Sequence, residues 1–114
     1  MHTLSDNCPR REASLRGGSG LVQIKELATK EELYGHGRMF AHMTVHPGCS
    51  IGYHEHKHET EFYYILKGEA VLCDDGEEVL LHPGDVSATG HGQKHGLENR
   101  SGSDVELIAL IVQE

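Results

Sequence analysis

Three histidines and one glutamate stand at intervals that could bring their side chains to one metal ion. His54 and His56 are separated by one residue, Glu61 follows shortly after, and His95 lies much further along the chain. Alternate side chains of an extended strand point to the same face, so His54 and His56 would project together. Glu61 opens an apolar run that could return from a neighbouring strand, and His95 would come from a distant one. The spacing predicts a single metal centre.

The donor types narrow the choice of metal. Neutral imidazoles with one carboxylate suit borderline divalent ions, namely manganese, iron, cobalt, nickel, copper or zinc. Calcium and magnesium are disfavoured because they prefer oxygen ligands. The predicted cofactor is therefore a divalent transition metal.

The elements that must position these residues are short strands. From Arg38 onward, turn signals separate apolar runs of roughly five to nine residues, and no helical periodicity is visible. The turn signals are Pro47-Gly48, Lys67-Gly68, Asp74-Asp75-Gly76, His82-Pro83-Gly84, Gly90-His91-Gly92 and Ser101-Gly102. This pattern is typical of an all-β barrel or sandwich.

Two stretches of the chain carry residue types at the fixed intervals of a known family. The first contains Gly48, His54, His56, Glu61 and Gly68, and the second contains Gly84, Gly92, His95 and Asn99. The chain resembles the small single-domain cupins of type 2 that are described as oxalate-decarboxylase-like. It departs from their pattern at Gly90, where the family usually has proline, and this position affects a turn and no ligand.

The resemblance implies a single-domain antiparallel β-barrel of the double-stranded β-helix or jelly-roll type. It also implies that the metal is held inside the barrel by the three histidines and the glutamate, with manganese as the usual ion. Iron, zinc, nickel and copper remain possible. Small cupins usually dimerise, so a homodimer is expected.

The resemblance favours a metal-dependent enzyme that acts on a small carboxylate or a carbohydrate-derived acid, in the manner of a decarboxylase. A chelated divalent ion would polarise the bound acid and stabilise developing negative charge. The alternatives are an isomerase acting on a sugar or uronate, an iron dioxygenase, and a non-catalytic protein that binds a small ligand.

Three further side chains are candidate catalytic residues. Arg38 and His42 share one alternating face of a predicted strand that is too polar for an ordinary core. If this face lines the cavity, Arg38 could bind a substrate carboxylate and His42 could act as a general acid or base. If it faces solvent, both are surface residues. Tyr63, two residues after Glu61, would point inward and either contact a ligand or fill the core.

Two other histidines could join the site. His58 shares the alternation of His54 and His56, so it could be an alternative ligand, a partner of a ligand or a loop residue. His91 lies between two glycines, where a turn could bring it over the barrel mouth or leave it exposed to solvent.

The length and charge of the chain bound the remaining possibilities. With 114 residues, the chain is long enough for one domain. Residues 1–20 are polar and glycine-rich and are expected to form a flexible or edge-strand arm, and residues 21–114 are expected to form the barrel. The formal net charge of −8 argues against nucleic acid or an anionic membrane as a partner.

The remaining sequence signals concern location and redox chemistry. No apolar run is long enough to span a bilayer, and the first residues lack the apolar core of a secretory signal, so a cytoplasmic protein is expected. The three cysteines form no Cys-x-x-Cys pair, which indicates neither a disulfide framework nor a thiolate zinc site.

Overall fold

The computed structural model describes residues 1–114 and contains ten β-strands and one 3-10 helix, Ser5–Asn7. The strands are β1 (Arg10–Ala13), β2 (Val22–Glu26), β3 (Gly37–Val45), β4 (Ser50–Glu55), β5 (Glu59–Lys67), β6 (Ala70–Asp74), β7 (Glu77–Leu81), β8 (Val86–Thr89), β9 (Lys94–Glu98) and β10 (Val105–Gln113). None of the helical structure is long and apolar enough to cross a membrane.

The strands form two antiparallel sheets. One sheet has six strands in the order β1-β2-β3-β10-β5-β8, and the other has four in the order β4-β9-β6-β7. The sheets are not joined edge to edge into a closed cylinder, and the arrangement is a jelly roll. The prediction of an all-β antiparallel fold is confirmed.

The core lies between the two sheets, and long strands such as β3, β5 and β10 bury alternate side chains there. In β3 the buried hydrophobic side chains are Ala41, Met43 and Val45, and they belong to the same apolar cluster as Ile51 of β4 and Leu97 of β9. This period of two is the signature of a sheet with one face on the core.

The last strand, β10, runs through the middle of the six-stranded sheet between β3 and β5. Its continuous apolar sequence suggests burial on both faces, and the structure shows that only one face is fully buried. Val105, Leu107, Ala109 and Ile111 have at most 2% of their surface exposed. The intervening residues are partly exposed or exposed, because the outer face of this sheet carries no second layer within the chain.

The N-terminal segment adds β1 to the edge of the six-stranded sheet, where it pairs with β2. After β1 the chain crosses to the four-stranded sheet. The backbone N–H of Ser50 donates to the carbonyl of Ser19 at 2.9 Å, and the Ser19 N–H donates to Oγ of Ser50 at 2.8 Å. The first twenty residues therefore contact both sheets.

Candidate metal centre

The four predicted ligands meet between the two sheets. His54 lies on β4 directly opposite His95 on β9, and His56 follows the end of β4. Glu61 reaches the same place from β5 of the six-stranded sheet. The register of β4 shifts between Ile51 and His54.

The atoms that would bind an ion point at one another. The Nε2 atoms of His54, His56 and His95 are 3.0 to 3.1 Å apart. Oε1 of Glu61 lies 3.1 Å from the His56 nitrogen, 2.9 Å from that of His95 and 3.8 Å from that of His54. All four donor atoms fall within 4.8 Å of one another.

These separations fit a divalent transition metal. Donors about 2.1 Å from one ion are about 3.0 Å apart at adjacent corners of an octahedron and about 4.2 Å apart at opposite corners. Five of the six observed separations match adjacent corners, and the 3.8 Å separation between His54 and Glu61 is nearer to opposite ones. Four protein donors would leave two positions for a small ligand.

Hydrogen bonds at the other ring nitrogens explain why the Nε2 atoms face inward. Nδ1 of His54 lies 2.6 Å from the carbonyl oxygen of Gly52, and Nδ1 of His56 lies 2.6 Å from a carboxylate oxygen of Glu59. Both partners accept, so these two Nδ1 atoms carry the proton and their Nε2 atoms keep a lone pair. Nδ1 of His95 is 2.9 Å from the hydroxyl of Thr89. Lone pairs crowded in this way favour a cation between them.

The centre is buried, which makes the charge of Glu61 important. His56, Glu61 and His95 have at most 4% of their surface exposed. Burial alone would raise the pKa of Glu61, but its interactions with the three surrounding imidazoles, when these are protonated, outweigh burial and hold this pKa well below its usual range. Burial lowers the pKa of His95, which favours the neutral form that a ligand needs.

Glu59 has a place in the centre that the sequence motifs do not predict. Its carboxylate accepts two hydrogen bonds from Arg38, from Nε and Nη2 at 2.8 Å each, and lies against His56. The Arg38 hydrogen bond is the main reason why the pKa of Glu59 is lowered to about 2. The inward position of Glu59 could have been predicted from the sequence. Glu59 alternates with Glu61 and Tyr63 on one strand and so shares their inward face.

A cavity of about 310 Å³ opens onto the metal group. Its lining includes Arg38 and Tyr63, together with Arg11, Leu15 and Arg16 of the N-terminal segment. Tyr63 is 1% exposed, and its ring stacks on that of His95 with centroids 4.7 Å apart and an interplanar angle of 12°. Arg38 reaches this cavity at a place where the pairing of β3 with β10 shifts register.

His42 does not lie in this cavity. The inward positions of β3 are occupied by Ala41 and Met43, so His42 projects from the outer face of the six-stranded sheet. There its Nε2 is 3.0 Å from Oε1 of Glu106. The hypothesis that His42 acts as an acid or base at the metal needed its face to line the cavity, and strand alternation places that face outside. Arg38 and His42 therefore lie on different faces of the sheet, although strict alternation along β3 would place them on the same face.

A larger groove, about 700 Å³, lies on that outer face and is lined in part by His42, Lys25 and Glu106. The only group of three or more histidine, cysteine or acidic side chains with donor atoms close enough for one ion is the buried one. The smaller cavity is therefore the candidate functional site.

His58 and His91 also lie outside the metal group, at the surface. His58 has a positive φ of 59°, which breaks the alternation that would have aligned it with His54 and His56. Its backbone N–H donates to Nδ1 of His91 at 2.8 Å, and its own Nδ1 is 2.8 Å from Glu114.

Known proteins similar to this chain identify its family. The profile of the cupin domain matches residues 41–111, which is more than half of the chain and includes all four candidate ligands. The chain is a cupin. An oxalate-binding protein of Thermotoga maritima is 42% identical to this cupin over 108 residues, covering 95% of this chain and 89% of the relative.

Solved structures share the fold of this cupin. The crystal structure of a predicted oxalate decarboxylase from Thermotoga maritima matches with a TM-score of 0.95 and 39% identity, covering 100% of both chains. KdgF from Halomonas sp. matches with a TM-score of 0.79 over 100% of this chain and 94% of that one, and at 19% identity it shows the fold alone. The cupin prediction made from two sequence motifs is confirmed.

Proposed function

We propose that this cupin binds a small carboxylate, with oxalate as the first candidate, at a divalent metal held by His54, His56, Glu61 and His95. The observation that carries the proposal is the convergence of four donor atoms on a cavity of about 310 Å³. This volume is at the lower end of the range for small-molecule sites and suits an acid of a few atoms. The relative named oxalate-binding protein supports the same class of ligand.

The metal would supply Lewis acidity by polarising the carboxylate oxygens. Tyr63 serves as a hydrogen-bond donor to the bound acid, because burial and then the charge of Glu61 raise its pKa well above the usual value and keep the phenol protonated. Arg38 borders the cavity with two of its donors bound to Glu59, so its main role is to hold that carboxylate against His56.

If the cupin is an enzyme, we propose that it acts as a decarboxylase on the bound acid. The alternative is a protein that binds the acid without catalysis. Catalysis is favoured by Tyr63, a protonated group that lines the cavity beside the metal ligands. We propose manganese as the resident ion and a homodimer in the cytoplasm as the state of the protein, as expected for a small cupin that resembles the oxalate decarboxylases.

The first test measures metal content by plasma mass spectrometry in untagged wild-type protein, in His95→Ala and in His82→Ala. We expect about one ion per chain in the wild type and in His82→Ala, and loss of the ion in His95→Ala, because a buried ligand is removed. His82 is the matched control because its side chain is 53% exposed and pairs with Glu69 at the surface.

Titration calorimetry then measures oxalate binding to the same proteins, followed by an assay for formate and carbon dioxide. Oxalate binding that disappears with the metal supports the proposal, and product formation supports the enzyme. Stoichiometric metal in His95→Ala would contradict the ligand set, and a metal-loaded wild type that binds no small carboxylate would contradict the function.

A further inference from the structure

The N-terminal segment forms part of the cavity wall, and backbone contacts hold it there. The N–H of Gly52 on β4 donates to the carbonyl of Leu15 at 3.0 Å, next to the paired hydrogen bonds between Ser19 and Ser50. The carbonyl of the same Gly52 accepts the hydrogen bond from Nδ1 of His54. One residue of β4 therefore contacts both the segment and a metal ligand.

Two glycines allow this close approach. A Cβ atom at Gly52 would overlap the carbonyl oxygen of Arg16, and one at Gly18 would overlap the carbonyl oxygen of Ser50. Arg16 itself has a positive φ of 53°, an uncommon conformation for a residue with a side chain. The chain thus turns at Arg16 against β4, at the border of the cavity.

Arg16 differs from the other two arginines of the cavity in having no carboxylate partner. Arg11 is bound to Glu26 at 3.3 Å, and Arg38 is bound to Glu59. Arg16 makes neither a salt bridge nor a side-chain hydrogen bond, although the protein has 18 acidic residues against 10 basic ones. An unpaired guanidinium is available for an anion that enters from solvent.

Arg16 lines the same cavity as Tyr63 and the candidate ligands His54, His56 and Glu61. Its positive charge would attract the negative charge of a ligand bound in this cavity.

We propose that Arg16 binds the outward carboxylate oxygens of a small dicarboxylate whose other oxygens are held at the metal centre. This inference rests on the proposed function and deepens it. The planar fork of arginine matches a carboxylate with two parallel hydrogen bonds, so the site selects short dicarboxylates over monocarboxylates. Arg16 is a ligand-specificity residue contributed by the segment that precedes the cupin motifs.

The test is titration calorimetry of metal-loaded, full-length protein with oxalate and with acetate. The variants are Arg16→Gln, Arg16→Lys and Arg100→Gln. Arg100 is the matched control, because its replacement removes one positive charge from an exposed pair with Glu78. Metal content and the melting temperature are measured for every sample.

For Arg16→Gln we expect oxalate affinity to fall about ten- to hundredfold, as for loss of a hydrogen-bonded charge. Acetate affinity should change little, and the metal content should stay that of the wild type. Arg16→Lys should regain part of the oxalate affinity, and Arg100→Gln should match the wild type.

Two results would overturn the inference. If Arg16→Gln binds oxalate as tightly as the wild type does, Arg16 is not the anion site. The proposed function would still stand in that case, because the wild type binds oxalate. Loss of metal in both Arg16 variants would show that the residue supports the metal centre instead of the ligand. Failure of the metal-loaded wild type to bind oxalate would be a failure of the proposed function itself.

Discussion

At the scale of single residues, the proposed metal centre depends on groups that an ion would not touch. Each imidazole has its Nδ1 atom held by a neighbour, and the partner of His56 is the only charged one. Because Arg38 lowers the pKa of Glu59 to about 2, this carboxylate stays ionised at neutral pH. It keeps the proton on Nδ1 of His56 and leaves Nε2 free for the metal.

Replacement of Glu59 by glutamine should weaken metal binding without unfolding the protein. Glutamine keeps the shape of the side chain but loses the charge that binds Arg38 and orients His56, and we expect metal affinity to fall about ten- to hundredfold. The measurement is a competition titration against a chelator.

Glu55→Gln is the matched control, because Glu55 lies one residue before His56, is exposed and makes no salt bridge. Equal affinities of Glu59→Gln and Glu55→Gln would show that the contact with His56 does not matter for the metal.

At the scale of elements, β4 connects the N-terminal segment to the proposed metal ligands. Its glycine at position 52 donates to the segment through N–H and accepts from His54 through its carbonyl. A side chain there has no room, because the carbonyl of Arg16 occupies the space. The position of the segment and the geometry of His54 are therefore coupled through one peptide unit.

Gly52→Ala should displace the segment and destabilise the metal-free protein. Overpacking of this kind costs about 1 to 3 kcal/mol. For a chain of this size we expect a fall in melting temperature of several degrees, on the order of 4 to 8 °C per kcal/mol. Thermal unfolding followed by circular dichroism measures the change.

Gly102→Ala provides the comparison, because a Cβ atom there meets nothing within 4 Å. The free energy of unfolding of Gly102→Ala should stay within about 0.5 kcal/mol of that of the wild type, so its melting temperature should change little. Equal melting temperatures for Gly52→Ala and Gly102→Ala would show that the contact between Gly52 and Arg16 does not constrain the segment.

At the scale of the whole molecule, a bound ion would link the two sheets. Glu61 belongs to the six-stranded sheet, whereas His54 and His95 belong to the four-stranded one. A ligand that binds only the folded state raises its stability, so metal and fold are thermodynamically coupled.

This coupling should depend on pH in one direction. Ligating imidazoles must be neutral, so protons compete with the metal and its affinity falls as the pH is lowered. Hydrogen bonding to Glu61 raises the pKa of His56, although burial opposes this effect. Burial lowers the pKa of His95. As the pH falls, His56 is therefore the first of the two to accept a proton. The metal-dependent gain in melting temperature should be present at about pH 8 and lost by about pH 4.

The measurement is the melting temperature with and without added metal across this range, together with the metal content after dialysis. Metal that remains stoichiometric at about pH 4 would contradict a centre with three imidazole ligands.

The fold family and the four converging side chains could both be predicted from the sequence. His54, His56, Glu61 and His95 are recognisable because a period of two sets the face of a strand and because the intervals between turns are those of the cupins. The glycine and proline turn signals reveal the strands between them, since turns have local conformational requirements.

The face of each strand that meets the cavity depends on tertiary packing. Alternation divides β3 into two faces, but packing against the other sheet selects the one with Ala41 and Met43 and leaves His42 outside. The pairing of Glu59 with Arg38 and the position of Arg16 depend on contacts between residues far apart in sequence. Local pattern sets the direction of a side chain relative to its own strand, whereas the partner it meets is set by how distant strands pack together.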